Sequence, residues 1–443
     1  MEPLRGRGVQ RSIVVVGSLT ALGYLLSTLR DALLASYYGG SPALDVYFIA
    51  LSPVQFIGME GASLVYLAFL PEFTRALRAD DASAYGRLFR ARLKLTGKAA
   101  FGAAAIMASV GVGFTQWLAP GYAGHHAIGS LRVSFGVLSA LIPGLALLGV
   151  MRGALEARAR FSAWALLPGI RSVTLIVCVL LSAPRPQLGW LLAGSLLGVA
   201  LAIRYAAFAG RDHETVSPSS GAVLESPAAS LPPALAPLVI AVLLGALTSM
   251  VDNAFASKAG VGGAQAFALA TNLLVAPQGI IGGVVATVFF PVYGALWLDD
   301  QKPAAIAGLW KSVRMVVVGL LPVVILFVTA GTAIVGIVYK HGLFREDLAA
   351  LVSRTVAGLA LGQIFYACSV LLRQFLLVAG KPWAVCEAAA LFLGVKWIGN
   401  ALLLRPFGLA GVALASSFAA FTTCGYLAVR VIRLARTLGV RGA

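Results

Sequence analysis

The sequence predicts an all-α polytopic membrane protein, with about twelve transmembrane helices in two six-helix lobes around a central cavity. Composition is the first reason. Of 443 residues, 59% are hydrophobic and only 12% are charged, and the mean hydropathy of +0.90 is far above that of a soluble domain. The second reason is that apolar runs of about 20 residues, the length that crosses a bilayer as a helix, recur along the whole chain. An internal repeat of the two halves is the third reason.

The apolar runs give the order of the spans, and no loop between them is long enough to hold a soluble domain. The first run follows a basic segment, as in a secretory signal peptide, but it is longer than such a signal and further spans follow it. We therefore interpret it as the first span. The predicted spans cover 12–36, 44–70, 97–118, 131–151, 161–183, 187–208, 233–257, 264–296, 312–339, 350–372, 383–404 and 407–429.

Basic residues outnumber acidic ones, 34 to 17, which gives a formal net charge of +17. Most of them lie at the N-terminus, in alternate loops or on the C-terminal tail, as Arg5, Arg152 and Arg436 do. This asymmetry is the positive-inside pattern, and it predicts cytoplasmic N- and C-termini with an even number of spans. The membrane topology accounts for the excess of basic residues, so we do not expect nucleic-acid binding.

One long polar segment divides the chain into two halves. Residues 210–232, GRDHETVSPSSGAVLESPAASLP, predict a cytoplasmic linker between an N-terminal lobe, 1–209, and a C-terminal lobe, 233–443. With an offset of 221 residues (252 − 31), LRDALLAS aligns with MVDNAFAS and Asp31 with Asp252. Two six-span halves that both start in the cytoplasm form a parallel repeat, which is typical of transporters that work by alternating access.

Four charged residues of the first half are candidates for contact with a substrate: Arg30, Asp31, Asp45 and Arg171. An ionised side chain near the bilayer centre costs roughly 2.5 to 3.5 kcal/mol, so such residues normally face a bundle interior or an aqueous cavity. Helix neighbours point about 100° apart, so we expect Arg30 and Asp31 not to pair with each other. The obvious partners of the two aspartates are the two arginines. The group either lines a cavity or joins spans one, two and five as a structural charge cluster.

The two arginines favour an anionic substrate. A guanidinium stays charged and offers a fixed fork of donors, which suits a phosphate group. Arg171 follows LLPG at 166–169, where we expect the helix to be broken. We therefore predict that Arg30 and Arg171 contact a phosphate-bearing substrate.

The second half carries a carboxylate and an ammonium in different spans. Asp252 is the repeat mate of Asp31, and Lys396 lies mid-span in GVKWIGN. The two residues predict either a salt bridge or an ion-coupling site in which the lysine takes the place of the cation. In the eighth span, APQGIIGG at 276–283 makes this helix the one most expected to be broken.

Catalytic and metal-binding patterns are not found. The four cysteines lie in or at the edges of spans without CxxC spacing, and the histidines form no ligand cluster. The external loops are too short to place paired carboxylates or a histidine for acid or base work. We predict a protein that is not an enzyme and that has no metal site and no cofactor.

Several segments occur in a recognisable order: LRDALLASYYGG, LDVYFIALSP, FLPEFTRAL, VDNAFAS, PQGIIGGVVATVFFP and GLAGVALASS. These segments resemble the MurJ/MviN family of lipid-linked glycan flippases, within the multidrug/oligosaccharidyl-lipid/polysaccharide exporter superfamily. The resemblance runs over residues 12–430. It implies two six-helix lobes around a cationic cavity in a bacterial inner membrane, and an undecaprenyl-pyrophosphate-linked sugar as the cargo.

The resemblance also assigns substrate-binding roles to single residues. The arginine-aspartate pair on the first span of the family matches Arg30 and Asp31, and the aspartate that opens its second span matches Asp45. Positions at which the family has further arginines fall on Tyr24, on 55–57 and on Asn272 in this chain. Asn272 is therefore a polar but uncharged residue at a substrate-binding position.

A sodium site described for one branch of the family maps to Asp252, Lys396, Asn400, Val412 and Ser416. A lysine stands here where that branch has an asparagine, and Asn400 stands where it has an aspartate. Because a tethered ammonium repels sodium, the resemblance implies coupling to membrane potential or to protons. One elementary charge crossing 100 mV supplies roughly 2.3 kcal/mol.

These observations predict a flippase that moves an undecaprenyl-pyrophosphate-linked saccharide from the cytoplasmic to the periplasmic leaflet by alternating access. The saccharide is either a lipid II-type peptidoglycan precursor or an exopolysaccharide repeat unit, since several family arginines and the two further spans usual in lipid II flippases are missing. The alternatives are a cation-coupled small-molecule antiporter of the same superfamily and a non-transporting scaffold of a glycan synthesis complex. The expected partners are the polyprenyl-pyrophosphate-linked glycan, the phospholipid bilayer and glycan synthesis enzymes.

Overall fold

The computed structural model describes residues 7–78, 82–122, 127–158, 160–183, 186–210 and 235–439. Apart from Gly210, the predicted linker lies outside these residues. The described part consists of helices joined by short turns, because a chain in hydrocarbon must satisfy its backbone N–H and C=O groups within each segment. The helices are α1 (Arg7–Tyr38), α2 (Pro42–Arg78), α3 (Ala82–Gly113), α4 (Thr115–Leu118), α5 (Ala127–Ser139), α6 (Leu141–Ala157), α7 (Phe161–Ala165), α8 (Leu167–Leu181), α9 (Leu188–Ala209), α10 (Leu235–Ser257), α11 (Gly263–Leu298), α12 (Lys302–Tyr339), α13 (Glu346–Val378), α14 (Pro382–Phe407) and α15 (Leu409–Thr437), with a 3-10 turn at Pro120–Tyr122.

Within the described residues, eleven helical segments are long and apolar enough to cross a membrane. They match the second to twelfth predicted spans in order, and the predicted first span, 12–36, falls inside α1. Helices α5 and α6 together form one of these segments, Ala127–Ala157, and α7 and α8 form another, Phe161–Leu181. The predicted fold class, an all-α polytopic membrane protein, is confirmed.

The break predicted at LLPG is present. Leu166 separates α7 from α8, and Pro168 lies in the first turn of α8. A proline costs little there, because the N–H that it lacks would have no partner in the first turn of a helix.

The break predicted at 276–283 is absent, and that prediction is wrong. Helix α11 continues from Gly263 to Leu298. The Nε2 atom of Gln363, on α13, donates to the Leu274 carbonyl at 3.1 Å, about one turn before Pro277. A neighbouring helix thus supplies a hydrogen bond one residue beyond the Leu273 carbonyl, which is the group that Pro277 leaves without its helical donor.

The described residues group into two compact units. The first unit takes them from Met1–Tyr37, Ile49–Thr115 and Gly124–Leu231, and the second from Tyr38–Phe48, Gln116–Ala123 and Pro232–Ala443. Two short segments of the predicted N-terminal lobe, at the start of α2 and around the 3-10 turn, therefore belong with the second unit. The contacts that hold them there are described below.

Each unit has its own apolar core. In the first unit, Phe73, Tyr85, Val150 and Ala154 bring α2, α3 and α6 together, and the Tyr85 hydroxyl donates to the Ala154 carbonyl at 3.2 Å. In the second unit, α12, α13 and α15 meet around Leu309, Val316, Leu371, Phe375 and Leu427.

A glycine sets the approach of α6 to α2 in the first unit. A Cβ atom added to Gly149 would lie 2.8 Å from the Cα atom of Ala62 and would also overlap its carbonyl. We expect Gly149→Ala to destabilise the protein by about 1 to 3 kcal/mol through overpacking, measured as a lower Tm in detergent. Gly102→Ala on α3 is the control, because nothing lies within 4 Å of its added methyl. Equal Tm values for the two variants would contradict the prediction.

Candidate functional site

Helices α1 and α8 pack along a seam of small residues in the first unit. Gly23 lies against Pro168, Gly169 lies against the side chain of Leu26, and the hydroxyls of Ser27 and Ser172 are 3.1 Å apart. Both helices advance in the same direction along these contacts. We call these contacts, together with the turn of α1 that follows them, the α1–α8 seam, defined by residues 23–31 on α1 and 168–172 on α8.

Arg30 and Asp31 pair with each other, so the expectation that they would not is wrong. Arg30 Nε donates to Asp31 Oδ1 at 2.9 Å, and Nη2 lies 2.7 Å from the same oxygen. Although the two Cα–Cβ bonds diverge, the arginine side chain is long enough to fold back onto its neighbour. The Asp31 side chain is only 3% exposed and that of Arg30 is 23% exposed. A buried carboxylate thus orients a guanidinium that reaches the surface of its unit.

Arg171 lies in the same seam, directly before Ser172, and is half-buried. Behind it α8 packs on α9, where a Cβ atom added to Gly198 would lie 3.2 Å from the Cα atom of Arg171. From the contact between Ser27 and Ser172, Arg30 lies three residues further along α1 and Arg171 one residue back along α8, so the two are offset by about 6 Å along the helix axes. The structure thereby brings to one seam two candidate residues from different spans.

Asp45 is completely buried, and among the residues that the structure describes it has no arginine partner, contrary to the expectation for it. Its Oδ2 accepts a hydrogen bond from the backbone N–H of Gly262 at 2.6 Å and one from the hydroxyl of Tyr122, and its Oδ1 accepts one from the N–H of Gln265 at 2.7 Å. Helix α11 begins at Gly263, and its first amides have no partner within the helix. Asp45 therefore supplies a cap to α11 from the first turn of α2, where the helix dipole also favours a negative charge.

Two further contacts hold the same region of the second unit. The N–H of Gly40 donates to Gln265 Oε1 at 3.2 Å, and the N–H of Gly121 donates to Ser257 Oγ, at the end of α10, at 3.2 Å. Gly262 has a φ of +95°, a conformation that glycine adopts without strain. Its glycine identity therefore lets the loop before α11 present an N–H to Asp45.

Tyr122 donates to Asp45 as a neutral phenol. Burial, and next the negative charge of Asp45, raise the pKa of Tyr122, so it keeps its proton at physiological pH. We define the Asp45 cluster as Asp45, Tyr122, Gly262 and Gln265. Sequence reasoning missed Tyr122 and Gln265, since no local pattern links them to an aspartate so far away in the chain.

Asp252 and Lys396 form a buried salt bridge between α10 and α14, the first of the two predicted arrangements. Lys396 Nζ lies 2.5 Å from Asp252 Oδ2, and the two side chains are 7% and 12% exposed. The rings of Phe392 and Phe267 face the ammonium, with centroids at 5.3 and 5.8 Å. Aromatic faces attract a cation in such positions.

Of the other predicted members of this site, Asn400 lies next to the pair, and Val412 and Ser416 lie on α15. Asn400 is 0% exposed and lies beside the Asp252 carboxylate, without forming a hydrogen bond of ordinary geometry to it. Ser416, on α15, is buried and donates to the Val412 carbonyl of its own helix at 2.9 Å. Close packing of Gly399 on Ala415 brings the turns that carry Asn400 and Ser416 to the same helix interface.

Asn272, the remaining candidate, lies half-buried on α11 next to the exposed Thr271. The structure places it on a different helix from the Asp252–Lys396 pair. Within the described residues, no group of His, Cys, Asp and Glu could hold a metal ion.

Sequence reasoning also missed a caged arginine at the end of α6. Arg152 lies over the rings of Tyr66 and Trp164, at 4.1 and 4.8 Å from their centroids, and its Nε donates to Glu156 Oε1 at 2.7 Å. The Tyr66 hydroxyl donates to the other oxygen of Glu156 at 2.7 Å. The spacing of Arg152 and Glu156, four residues apart on one helix face, was a signal for this pair.

Comparison with known proteins identifies the family of the chain. A model of the lipid II flippase family MurJ matches residues 34–442, which is nearly the whole chain. The chain belongs to this family. The resemblance found in the sequence is thereby confirmed, and the family makes the protein a transporter rather than an enzyme.

Two members of the MurJ family match this chain at low sequence identity. A probable lipid II flippase MurJ of Vibrio cholerae is 22% identical over 433 residues, covering 94% of this chain and 82% of the relative. A probable lipid II flippase MurJ of Synechocystis is 23% identical over 140 residues, and this match spans 32% of the chain and 26% of the relative.

Solved structures show the fold that the family shares with a second group of transporters. A lipid II flippase MurJ in an inward closed conformation superposes with a TM-score of 0.73 at 19% identity, covering 95% of this chain and 87% of that one. A multidrug resistance MATE family transporter in an inward-facing conformation superposes with a TM-score of 0.75 at 14% identity, covering 97% of this chain and 100% of that one. The fold alone therefore does not separate the two groups, whereas the family model does.

Proposed function

We propose that this protein moves a polyprenyl-pyrophosphate-linked saccharide from the cytoplasmic to the periplasmic leaflet of a bacterial inner membrane. Membership of the MurJ family supports the movement of a lipid-linked precursor. The single observation that carries the proposal in this chain is the pair of arginines on the α1–α8 seam, inside the membrane-spanning part of the first unit.

The partial exposure of the Arg30 side chain bears on whether its guanidinium faces lipid or water. An arginine at this depth is costly against lipid and is normally placed against a cavity that contains water. The 23% of the Arg30 side chain that is exposed is therefore expected to face such a cavity, while Asp31 behind it is buried. We assign Arg30 and Arg171 to the pyrophosphate of the cargo and Asp31 to the orientation of Arg30.

The types of side chain at the seam suit a pyrophosphate. Two guanidinium groups, those of Arg30 and Arg171, stand there with one carboxylate, that of Asp31. Guanidinium groups bind phosphate oxygens in pairs with fixed geometry, which an ammonium does not reproduce. Asn272, on α11, is proposed to contact the saccharide or the phosphate through its amide, at a position where relatives carry an arginine.

The nature of the saccharide stays open between two candidates of the same chemistry. Both the lipid II-type precursor and an exopolysaccharide repeat unit present a sugar on a polyprenyl pyrophosphate. We place both termini in the cytoplasm, as the distribution of basic residues favours. The parallel six-span repeat supports a cycle of alternating access between the predicted lobes.

The test is exposure of lipid II on the periplasmic face of bacteria depleted of their own flippase and expressing this protein at verified levels. We expect restored exposure with the wild-type chain, a loss of tenfold or more (about 1.4 kcal/mol) with Arg30→Ala or Arg171→Ala, and a partial loss with Arg30→Lys, which keeps the charge but not the fork. Arg132→Ala, at an exposed position of α5, is the control.

The outcomes separate the candidates. Restored exposure that Arg30→Ala leaves unchanged would contradict the assignment of the seam. If the wild-type chain restores nothing, the same variants are to be compared in a bacterium whose exopolysaccharide flippase has been removed, where restoration identifies the other saccharide. Failure in both settings at normal expression would overturn the proposal and would favour the small-molecule antiporter or the scaffold.

A further inference from the structure

The buried ion pair of the second unit stands among polar atoms that it leaves unsatisfied. Asp252, Lys396 and Asn400 are 8%, 5% and 0% exposed. The Asp252 Oδ1 atom and both polar atoms of the Asn400 amide are buried without a hydrogen-bond partner in the described part of the chain. An ionised carboxylate can accept about four hydrogen bonds, and within the described residues Lys396 is the one donor of ordinary geometry to Asp252, with the Asn400 amide beside it.

Stability does not account for this arrangement. Apolar residues of similar volume commonly replace a buried ion pair at no loss of stability, and each buried polar atom without a partner is costly. The oxygens of Asp252 and Asn400, with Ser416 on the neighbouring interface, are instead the kind of group that surrounds a small hard cation. The positive group found among them is the Lys396 ammonium, 2.5 Å from the carboxylate.

We infer that the Lys396 ammonium is a built-in substitute for a monovalent cation, so that this chain keeps its own cation site permanently filled from α14. The sodium ion that the resemblance implies does not fit here, because a tethered positive charge already occupies the position beside the carboxylate. The carboxylate and amide oxygens around it form a latent site, which removal of the ammonium opens to sodium.

The internal repeat shows that this cation is particular to the second half. With the offset of 221 residues, Lys396 falls on Leu175 and Phe392 falls on Arg171, both on α8. The two halves therefore carry their cations on different turns of corresponding helices. The ammonium next to Asp252 has no counterpart at the same position beside Asp31.

Thermal unfolding of the purified protein in detergent tests the inference without any cargo. Sodium chloride is compared with choline chloride at equal concentration, so that ionic strength is matched. We expect no sodium-specific shift for the wild type and a sodium-specific rise in Tm of about 3 °C or more for Lys396→Asn, because a ligand that binds only the native state stabilises it. Lys396→Gln is a second neutral variant.

Matched variants keep the result specific. Asp252→Asn/Lys396→Asn lacks the carboxylate and should not respond to sodium, and neither should Lys340→Asn, which alters a lysine of an exposed ion pair. A sodium-specific shift in the wild type, or none in the neutral variants, would overturn the inference. So would failure of both neutral variants to fold in either salt, because sodium should replace the missing charge. Since no flipping is measured, this result is independent of the proposed function.

Discussion

Replacing Asp45 by alanine should destabilise the protein by at least about 3 kcal/mol, because three buried donors lose their acceptor together. These donors are the N–H groups of Gly262 and Gln265 and the hydroxyl of Tyr122. A hydrogen bond to a charged group contributes about 1.5 to 3 kcal/mol, and a buried donor left without a partner costs about 1 to 3 kcal/mol. Alanine also removes the negative charge from the start of α11. The measurement is the Tm of the purified protein in detergent.

The pattern across variants identifies the cause. Asp45→Asn should lie between the wild type and Asp45→Ala, since an amide oxygen can accept one of the backbone bonds while the amide nitrogen faces another donor. Tyr122→Phe should cost less, because it leaves both backbone bonds in place. Asp347→Ala is the control: its side chain is 66% exposed in the first turn of α13, and we expect a Tm near that of the wild type. If Asp45→Ala unfolds at the wild-type temperature, the Asp45 cluster does not hold the start of α11.

Hydropathy predicted the spans because a chain in the hydrocarbon core has few ways to satisfy its backbone hydrogen bonds. A long apolar run must form a helix to satisfy its own backbone, so span positions are a local property of the sequence. The break at Leu166 was also local, since it depends on Pro168 and Gly169 nearby. The break expected at 276–283 did not occur, and Gln363 from another helix donates a hydrogen bond to α11 close to Pro277. Non-local support of this kind leaves no trace in the segment itself.

The predictions about partners of the buried charged residues were also right in one case and wrong in others. The sequence predicted that Asp252 and Lys396 could pair, because an unpaired charge in a span is so costly that the possible partners are few. It failed for Arg30 and Asp31, where the flexibility of a long side chain outweighs the angle between neighbouring residues. It failed for Asp45 as well, since the main partners are backbone amides, and every residue except proline offers one of those.

Replacing Asp252 by alanine should destabilise the protein by about 3 to 5 kcal/mol, because it leaves the Lys396 ammonium buried and unpaired. The Lys396 side chain is 7% exposed, and the rings of Phe267 and Phe392 cannot replace a carboxylate. The measurement is again the Tm in detergent. Glu346→Ala is the matched control, because Lys340 and Glu346 are separated by a similar 2.7 Å but are 49% and 83% exposed. We expect this exposed pair to contribute little, since water screens its charges.

A double variant distinguishes the cost of an unpaired charge from damage to packing. Asp252→Leu/Lys396→Met replaces both charges by apolar groups of similar size, and we expect its Tm to return to the wild-type value or to exceed it. The cycle consists of the wild type, Asp252→Leu, Lys396→Met and the double variant. Their Tm values measure the coupling between the two residues directly. A double variant as unstable as Asp252→Leu alone would show that the ion pair is needed for folding. Recovery of the double variant would show that the chain carries these two charges for a purpose other than stability, as a cation site filled from within requires.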